Sequence, residues 1–133
     1  MMTGGALALP PDRQYMAEKI RAQLELTAEE AAWLEDNRIL RVGVDPDFAP
    51  FSFRGLSGRY HGIVPDYLGI LAAGLGVTFR IEDGLSWSEV LQAAEARRID
   101  LVATATIRPE RELYLSFTDF FIPTPVVIMS RRG

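Results

Sequence analysis

Three short segments of the chain carry residue types that together suit the binding of a zwitterion. Asp45 and Phe48 follow one apolar stretch, Trp87 follows a second, and Thr106 with Arg111 follows a third. A carboxylate can hold an ammonium group, a guanidinium can hold a carboxylate, and aromatic faces can enclose the carbon stem between them. In open α/β sheets, ligands bind at the carboxyl ends of the strands, where these segments should meet.

The third segment, residues 104–111, offers the most specific chemistry. Thr104 and Thr106 place two hydroxyls two residues apart, and Arg111 follows five residues later. A guanidinium grips a carboxylate through two parallel hydrogen bonds, to which a threonine hydroxyl and turn amides can add. The same residues also suit a solvated turn in which Arg111 pairs with Glu110 or Glu112, and this segment alone favours neither interpretation.

The aromatic residues of the candidate site also have two interpretations. Phe51 and Phe53 alternate at strand spacing, so the segment that includes Phe48 is, taken alone, better interpreted as core. An indole such as Trp87, at the start of a predicted helix, is also more often a core residue than a ligand contact. The binding interpretation therefore depends on all three segments reaching one edge of the sheet.

Other kinds of functional site have little support. His61 is the single histidine and lies in a glycine-flanked loop, which argues against a metal site. Asp45 and Asp47 should point to opposite sides of a strand, which argues against a paired-carboxylate site. The sequence contains no glycine-rich phosphate loop, and Ser57 has the wrong neighbours for a nucleophile elbow. We expect no catalytic residue, no metal and no cofactor.

Composition sets wider limits. The 133 residues suffice for one domain with a modest core, and 48% apolar with 24% charged residues is ordinary for a globular fold. A net charge of −4 and scattered arginines argue against nucleic acid as a partner. The absence of cysteine excludes disulfides and thiolate metal sites. No apolar run approaches the roughly 20 residues of a membrane-spanning helix, so any export signal or anchor is expected outside this sequence.

Two helices are predicted before the first strand. Residues 1–9 are expected to be disordered, and residues 10–38 to form a helical lead-in. The first helix begins near two prolines and carries an apolar residue every four positions, in Met16, Ile20 and Leu24. A capping box at residues 27–30 predicts a second short helix that ends near residue 37.

Residues 39–133 are predicted to form one α/β domain in the order β-α-β-α-β. Its elements are strands at 39–44, 77–81 and 100–104, helices at 64–75 and from 87 to 97 or 98, a loop or hairpin at 45–62, a short helix from Pro109, and a last strand at 126–129. Helices of this length with short connections predict a mainly parallel sheet covered on both faces, a three-layer arrangement.

Three motifs in this order resemble the family 3 periplasmic solute-binding proteins, which have the type II periplasmic-binding-protein, or Venus-flytrap, fold. Residues 42–53 resemble the family's first strand and its aspartate–phenylalanine–proline turn, and GIVPDYL at 62–68 resembles the start of the first helix. Residues 99–118, with the dipeptides ER and FT, resemble the segment that follows the third strand. The resemblance runs from about residue 26 to residue 129 and implies lobe one of a two-lobed, amino-acid-binding fold.

The resemblance implies a role for each candidate residue. Arg111 and Thr106 would hold the α-carboxylate of the ligand, and Asp45 would help to hold its ammonium group. Phe48 and Trp87 would enclose its side chain.

Two other residues of the third segment bear on the resemblance. Thr104 occupies a position where the family often has a small residue whose backbone contacts the ligand. Arg108 departs from the family, which commonly has a small polar residue there, and the departure bears on the shape of the site.

The lead-in LTAEEAAWL at residues 26–34 narrows the resemblance to flytrap sensor domains of membrane histidine kinases. It implies a periplasmic or otherwise extracytoplasmic domain that signals to a kinase when its lobes close, with membrane tethering in the full-length protein as a further expectation. Three alternatives stay open. One is the substrate-binding component of an ABC transporter, with a permease as partner. Another is a flytrap module of a periplasmic enzyme of the dehydratase or lytic transglycosylase type. The third is a purely structural dimerising module, in which the residues at the edge of the sheet are only core.

The length of the chain departs from the family, whose members have two lobes of similar size. This sequence is expected to be truncated before lobe two, so half of the ligand shell would come from elsewhere. We expect either the missing second lobe or a second copy of the chain, including a swapped dimer, to complete the site.

Overall fold

The computed structural model describes residues 10–124 and 127–131. Its elements, in chain order, are α1 (Pro11–Gln23), α2 (Ala28–Asp36), β1 (Ile39–Gly43), β2 (Asp47–Phe48), β3 (Ser52–Arg54), β4 (Tyr60–His61), α3 (Ile63–Leu75), β5 (Thr78–Ile81), α4 (Trp87–Glu95), β6 (Leu101–Val102) and α5 (Pro109–Glu112). The predicted alternation of strands and helices is confirmed.

The main sheet has three parallel strands in the order β5-β1-β6. Val42 of β1 lies opposite Ile81 of β5 on one side and Leu101 of β6 on the other. The first strand is therefore central, as its continuous apolar character predicts. Parallel strands joined through α3 and α4 confirm the predicted α/β class.

Helices cover both faces of this sheet and make the three layers. Val42 and Val44 are fully buried against a cluster that includes Val64 and Leu68 of α3. On the opposite face, α4 contributes Val90 to a second cluster.

The close approach of α4 requires a glycine in β1. A Cβ atom at Gly43 would lie 2.5 Å from Val90 Cγ1 and 2.7 Å from Ile99 Cδ1, so a larger residue has no space there. This contact sets the distance between α4 and the sheet.

The predicted loop or hairpin at 45–62 is a small antiparallel sheet in the order β2-β3-β4. Phe53 stacks on His61 with ring centroids 6.0 Å apart, so the histidine serves as a packing residue of the hairpin. Within the described residues, no group of three or more His, Cys, Asp or Glu side chains is placed to hold a metal ion.

The lead-in helix α1 packs on α3. Arg13 forms an ion pair with Asp66 at 2.8 Å, and Arg21 Nη2 donates to the Ala73 carbonyl at 2.6 Å. The predicted apolar stripe is wrong at Met16, which is 48% exposed, whereas the neighbouring Ala17 is buried. A small residue lets the two helices approach closely, and a long one at that position would hold them apart.

The second lead-in helix begins as predicted. Thr27 Oγ1 accepts from the Glu30 amide at 3.2 Å, and Glu30 Oε2 accepts from the Thr27 amide at 2.8 Å. These two hydrogen bonds complete the capping box, and those from Thr27 lower the pKa of Glu30.

Two strand predictions need correction. The third strand, predicted at 100–104, is limited to Leu101–Val102, because Thr104 has a φ of +65° and turns the chain away from the sheet. The last strand, predicted at 126–129, is absent at 127–129, and residue 126 lies outside the described residues. Ile128 and Met129 are 98% and 91% exposed, and no strand among the described residues pairs with them. The predicted disorder at 1–9 also falls outside the described residues.

A charged pair joins the start of β6 to β1. The Arg41 guanidinium donates to both carboxylate oxygens of Asp100 at 2.9 and 2.8 Å, and the Arg41 amide donates to Asp100 Oδ2 at 2.8 Å. These hydrogen bonds, those of the guanidinium above all, hold the pKa of Asp100 below its ordinary value of 3.8.

The depressed pKa of Asp100 predicts acid-sensitive stability. The pair stabilises the fold above about pH 4, where the unfolded carboxylate is already ionised, and this contribution is lost as pH falls through the lower folded pKa. Asp100→Asn should therefore lower the free energy of unfolding at about pH 7 and have a smaller effect at about pH 3. Urea unfolding of both proteins at the two pH values measures this. An equal difference at both values would contradict it.

Candidate functional site

The three predicted segments reach one edge of the main sheet. β1, β5 and β6 run parallel and end at Gly43, Ile81 and Val102. Asp45 follows the first of these ends, Trp87 begins the helix after the second, and residues 104–111 follow the third. The carboxyl edge is where open α/β sheets bind ligands.

Arg111 is the most informative side chain at this edge. It lies in α5, and its Nη1 atom donates to the Thr106 carbonyl at 3.0 Å. Its guanidinium carbon lies 5.6 Å from the centroid of the Trp87 ring, within the range of a cation–π contact. The structure therefore brings Arg111, Thr106 and Trp87 together.

The alternative ion pairing of Arg111 is not observed. Among the described residues its guanidinium pairs with no carboxylate, and Arg108 instead lies 3.8 Å from Glu110. One nitrogen of Arg111 is used by the turn and one face by the indole, which leaves other N–H donors for an incoming anion. A half-buried, unpaired guanidinium on an aromatic face is suited to bind a carboxylate.

Trp87 has a structural role as well as a place at the edge. Ser86 and Glu89 form the predicted capping box, and the hydrogen bonds from Ser86 lower the pKa of Glu89. The half-buried indole packs against the cluster around Val90. The core interpretation of Trp87 is confirmed, and the contact with Arg111 leaves its role as a ligand contact a prediction.

Thr104 is held in a tight turn. Its φ is +65°, and its hydroxyl donates to the carbonyl of the buried Ala103, whose amide in turn donates to Gly43 at 3.0 Å. The hydroxyl therefore uses its one donor within the chain.

Asp45 is positioned by its own loop. Its Oδ1 atom accepts from the Asp47 amide at 3.0 Å, and its carbonyl accepts from Ser52 Oγ at 2.6 Å. Ser52 is fully buried, so this hydrogen bond anchors the loop after β1 to the hairpin. No ion pair among the described residues engages the Asp45 carboxylate.

Phe48 and Phe51 have different surroundings. Phe51 packs against the core cluster under β1, as the core interpretation predicts. Phe48 is 41% exposed and contacts Phe51 with ring centroids 4.9 Å apart. Phe48 is therefore supported by a core residue while presenting an aromatic face to solvent.

The edge thus contains one connected group and one separate pair. Arg111 contacts both the Thr106 carbonyl and the Trp87 ring. Asp45 and Phe48 lie on the loop and hairpin after β1, without a hydrogen bond or ion pair to that group. Sequence analysis missed Ser52, whose buried hydroxyl holds the Asp45 loop. The sequence feature that could have indicated this role is a small polar residue, Ser52, between Phe51 and Phe53.

The sequence profile of the family described as bacterial extracellular solute-binding proteins, family 3, matches residues 40–133. The virulence sensor protein BvgS of Bordetella pertussis is 29% identical over 109 residues, which are 80% of this chain and 9% of that protein. The L-cystine-binding protein TcyJ of Escherichia coli is 27% identical over 101 residues, which are 75% of this chain and 38% of that protein. The chain spans less than half the length of either relative.

Solved structures agree in fold. An ancestral cyclohexadienyl dehydratase superposes with a TM-score of 0.60 at 28% identity, covering 74% of this chain and 41% of that one. The arginine-bound form of domain 1 from TmArgBP, in a single-substitution variant, gives a TM-score of 0.57 at 29% identity, covering 67% of this chain and 69% of that one. The described residues therefore have the fold of one lobe of a type II periplasmic binding protein.

Proposed function

The chain belongs to the family 3 bacterial extracellular solute-binding proteins, and from this membership we propose that it binds an amino acid or a similar small carboxylate at the carboxyl edge of its sheet. The observation that carries the proposal is the Arg111 guanidinium, which is fixed by the Thr106 carbonyl and the Trp87 ring and pairs with no carboxylate among the described residues.

The proposed contacts follow from the chemistry of the edge. Arg111 and the Thr106 hydroxyl hold the α-carboxylate, with the backbone at Thr104 as a further donor. Asp45, whose carboxylate forms no ion pair among the described residues, attracts the ammonium group. Phe48 and Trp87 line the space for the side chain, with Phe48 presenting its exposed face. We propose binding without catalysis, because a guanidinium, hydroxyls, a carboxylate and aromatic faces suit the recognition of a zwitterion. A dehydratase or lytic activity is the alternative.

One lobe supplies one side of the proposed site. We propose that a second lobe, or a second copy of the chain, closes over the ligand, and that tighter binding to the closed state drives closure. The arginine-bound form of a single domain from TmArgBP supports a search for ligands with this chain alone.

The match to BvgS, a sensor protein, supports a sensor role. It covers 80% of the 133 residues and therefore includes residues 28–106, which contain the whole of Ala28–Asp36. We propose an extracytoplasmic domain that acts on a membrane kinase, with a transporter permease as the alternative partner. Within the described residues, no helix is long and apolar enough to cross a membrane.

Isothermal titration of the chain with the common L-amino acids, each paired with its α-carboxamide, tests the proposed ligand class. The amide keeps the side chain and the ammonium group but removes the negative charge that Arg111 would bind. We expect at least one L-amino acid to bind and its amide to bind at least about thirtyfold more weakly, since removing one partner of a buried charge pair costs roughly 2–5 kcal/mol. Equal binding of acid and amide would contradict the assigned role of Arg111.

A further inference from the structure

The outer side of β5 is an unpaired strand edge within the described part of the chain. The Thr78 amide donates to the Arg38 carbonyl at 2.8 Å, and the Glu82 amide donates to the Val42 carbonyl at 2.9 Å. In a parallel ladder, alternate residues bond to the same neighbour, so the backbone groups of Phe79 and Ile81 point away from β1. No other strand of the described residues accepts or donates there.

The two charged residues that flank Ile81 have opposite signs. Arg80 Nη2 lies 3.1 Å from Glu82 Oε1, and their side chains are 60% and 33% exposed. In an antiparallel pairing centred on Ile81, Arg80 of one copy stands opposite Glu82 of the other, and Glu82 stands opposite Arg80. Arg80 and Glu82 would form the non-hydrogen-bonded pairs on either side of Ile81, and opposing side chains are closest in pairs of this kind.

An apolar groove of about 270 Å³ runs beside this edge, between β5 and α3. It is lined by Pro65, Leu68, Gly69, Ala72, Phe79 and Ile81 among others. A Cβ atom added at Gly69 would meet no atom within 4 Å, so this side of α3 is open. α1 covers a different side of α3, through Ala73, Gly74 and Asp66.

We propose that two copies of this chain pair through β5, antiparallel and centred on Ile81, to form a continuous six-stranded sheet. The free backbone groups of Phe79 and Ile81 bond across the two-fold axis, Arg80 and Glu82 form two intermolecular ion pairs, and the apolar grooves face each other. The carboxyl edges of the two halves then lie at opposite ends of the sheet, so both candidate ligand sites stay open.

Charges on a strand edge often prevent such pairing, and this is the competing explanation of Arg80 and Glu82. Charges of one sign would repel a second copy. Here the signs are opposite and the spacing is two residues, so the edge is complementary to itself in the antiparallel arrangement. The partner that fits this edge is therefore another copy of the chain.

Sedimentation equilibrium of the chain over a range of concentrations tests the pairing, with Arg80→Glu, Glu82→Arg and the double exchange as variants. We expect a monomer–dimer equilibrium whose dissociation constant rises at least about tenfold in each single variant, since like charges then face each other. The double exchange restores the opposite signs and should return the constant to near the wild-type value.

Arg98→Glu is the matched control, because Arg98 is an exposed arginine after α4 and away from β5. It changes the net charge as Arg80→Glu does and should leave the dimer unchanged. Circular dichroism verifies that every variant is folded. The proposal would be overturned if the chain stayed monomeric at all concentrations, which would include an edge that pairs only with another protein. A dimer that the single exchanges do not weaken would also overturn it.

Discussion

Replacing Gly62 by alanine should lower the free energy of unfolding by about 3 kcal/mol or more. Gly62 immediately precedes α3 and has a φ of +119°, in a region that residues with a Cβ atom rarely adopt. A Cβ atom there would lie 2.5 Å from the Phe51 carbonyl oxygen and 2.6 Å from that of Pro50. Both contacts are with backbone atoms, which cannot rotate away as a side chain can.

The carbonyl groups of Phe51 and Pro50 also accept hydrogen bonds from the first two amides of α3. They accept from the amides of Val64 and Ile63 at 2.9 and 3.1 Å, so moving them to admit a methyl group would break the junction between the hairpin and α3. Urea unfolding followed by circular dichroism measures the loss. Gly69→Ala is the control, because the same substitution inside α3 meets open space and should stabilise the helix by about 0.5–1 kcal/mol. Equal stability changes in the two variants would contradict the assigned constraint.

Replacing Arg111 by alanine should raise the dissociation constant for the carboxylate ligand at least about thirtyfold while the chain stays folded. The side chain makes one hydrogen bond to a backbone carbonyl and one contact with Trp87, so its loss should cost the fold only about 1 kcal/mol. Titration calorimetry with the tightest amino acid of the ligand panel measures binding, and thermal unfolding measures stability.

Two further substitutions make this test specific. Arg108→Ala removes an arginine of the same turn that already has Glu110 as a partner, and it should change the dissociation constant little. Arg111→Lys keeps the charge but loses the two-pronged donor geometry, so binding should be intermediate. If Arg111→Ala binds like the wild type, the carboxylate is held elsewhere.

The elements of this fold were predictable where a few neighbouring residues determine them. The capping boxes at Thr27 and Ser86 and the left-handed Gly76 after α3 are observed as the sequence indicates. Each depends on hydrogen bonds or dihedral angles within about four residues, so no tertiary information is needed.

Features that depend on distant partners were less predictable. Met16 fits a helical stripe, yet only the approach of α3 decides that Ala17 is buried instead. Residues 127–129 have strand composition, but a strand also needs a neighbouring edge, and none meets them within the described residues.

The candidate site also has one feature that could be predicted from the sequence and one that could not. The convergence of Asp45, Trp87 and Arg111 on one edge follows from the order of parallel strands and was predictable. That Arg111 would contact the indole of Trp87 and the carbonyl of Thr106, and not a neighbouring glutamate, depends on how α5 is oriented over the start of α4. The orientation of α5 cannot be predicted from the spacing of residues along the chain.

The central position of β1 has a consequence for the order of events during synthesis. The odd-numbered residues of β1 form their backbone hydrogen bonds on the side of β6. There the Arg41 carbonyl accepts from the amide of Asp100 at 2.9 Å, and Asp100 lies 59 residues later in the chain. One side of β1 therefore stays without its partner until β6 has been synthesised. Because such long-range pairing is slow to form and leaves an edge exposed to other chains, the nascent polypeptide is most vulnerable to aggregation between the synthesis of β1 and that of β6.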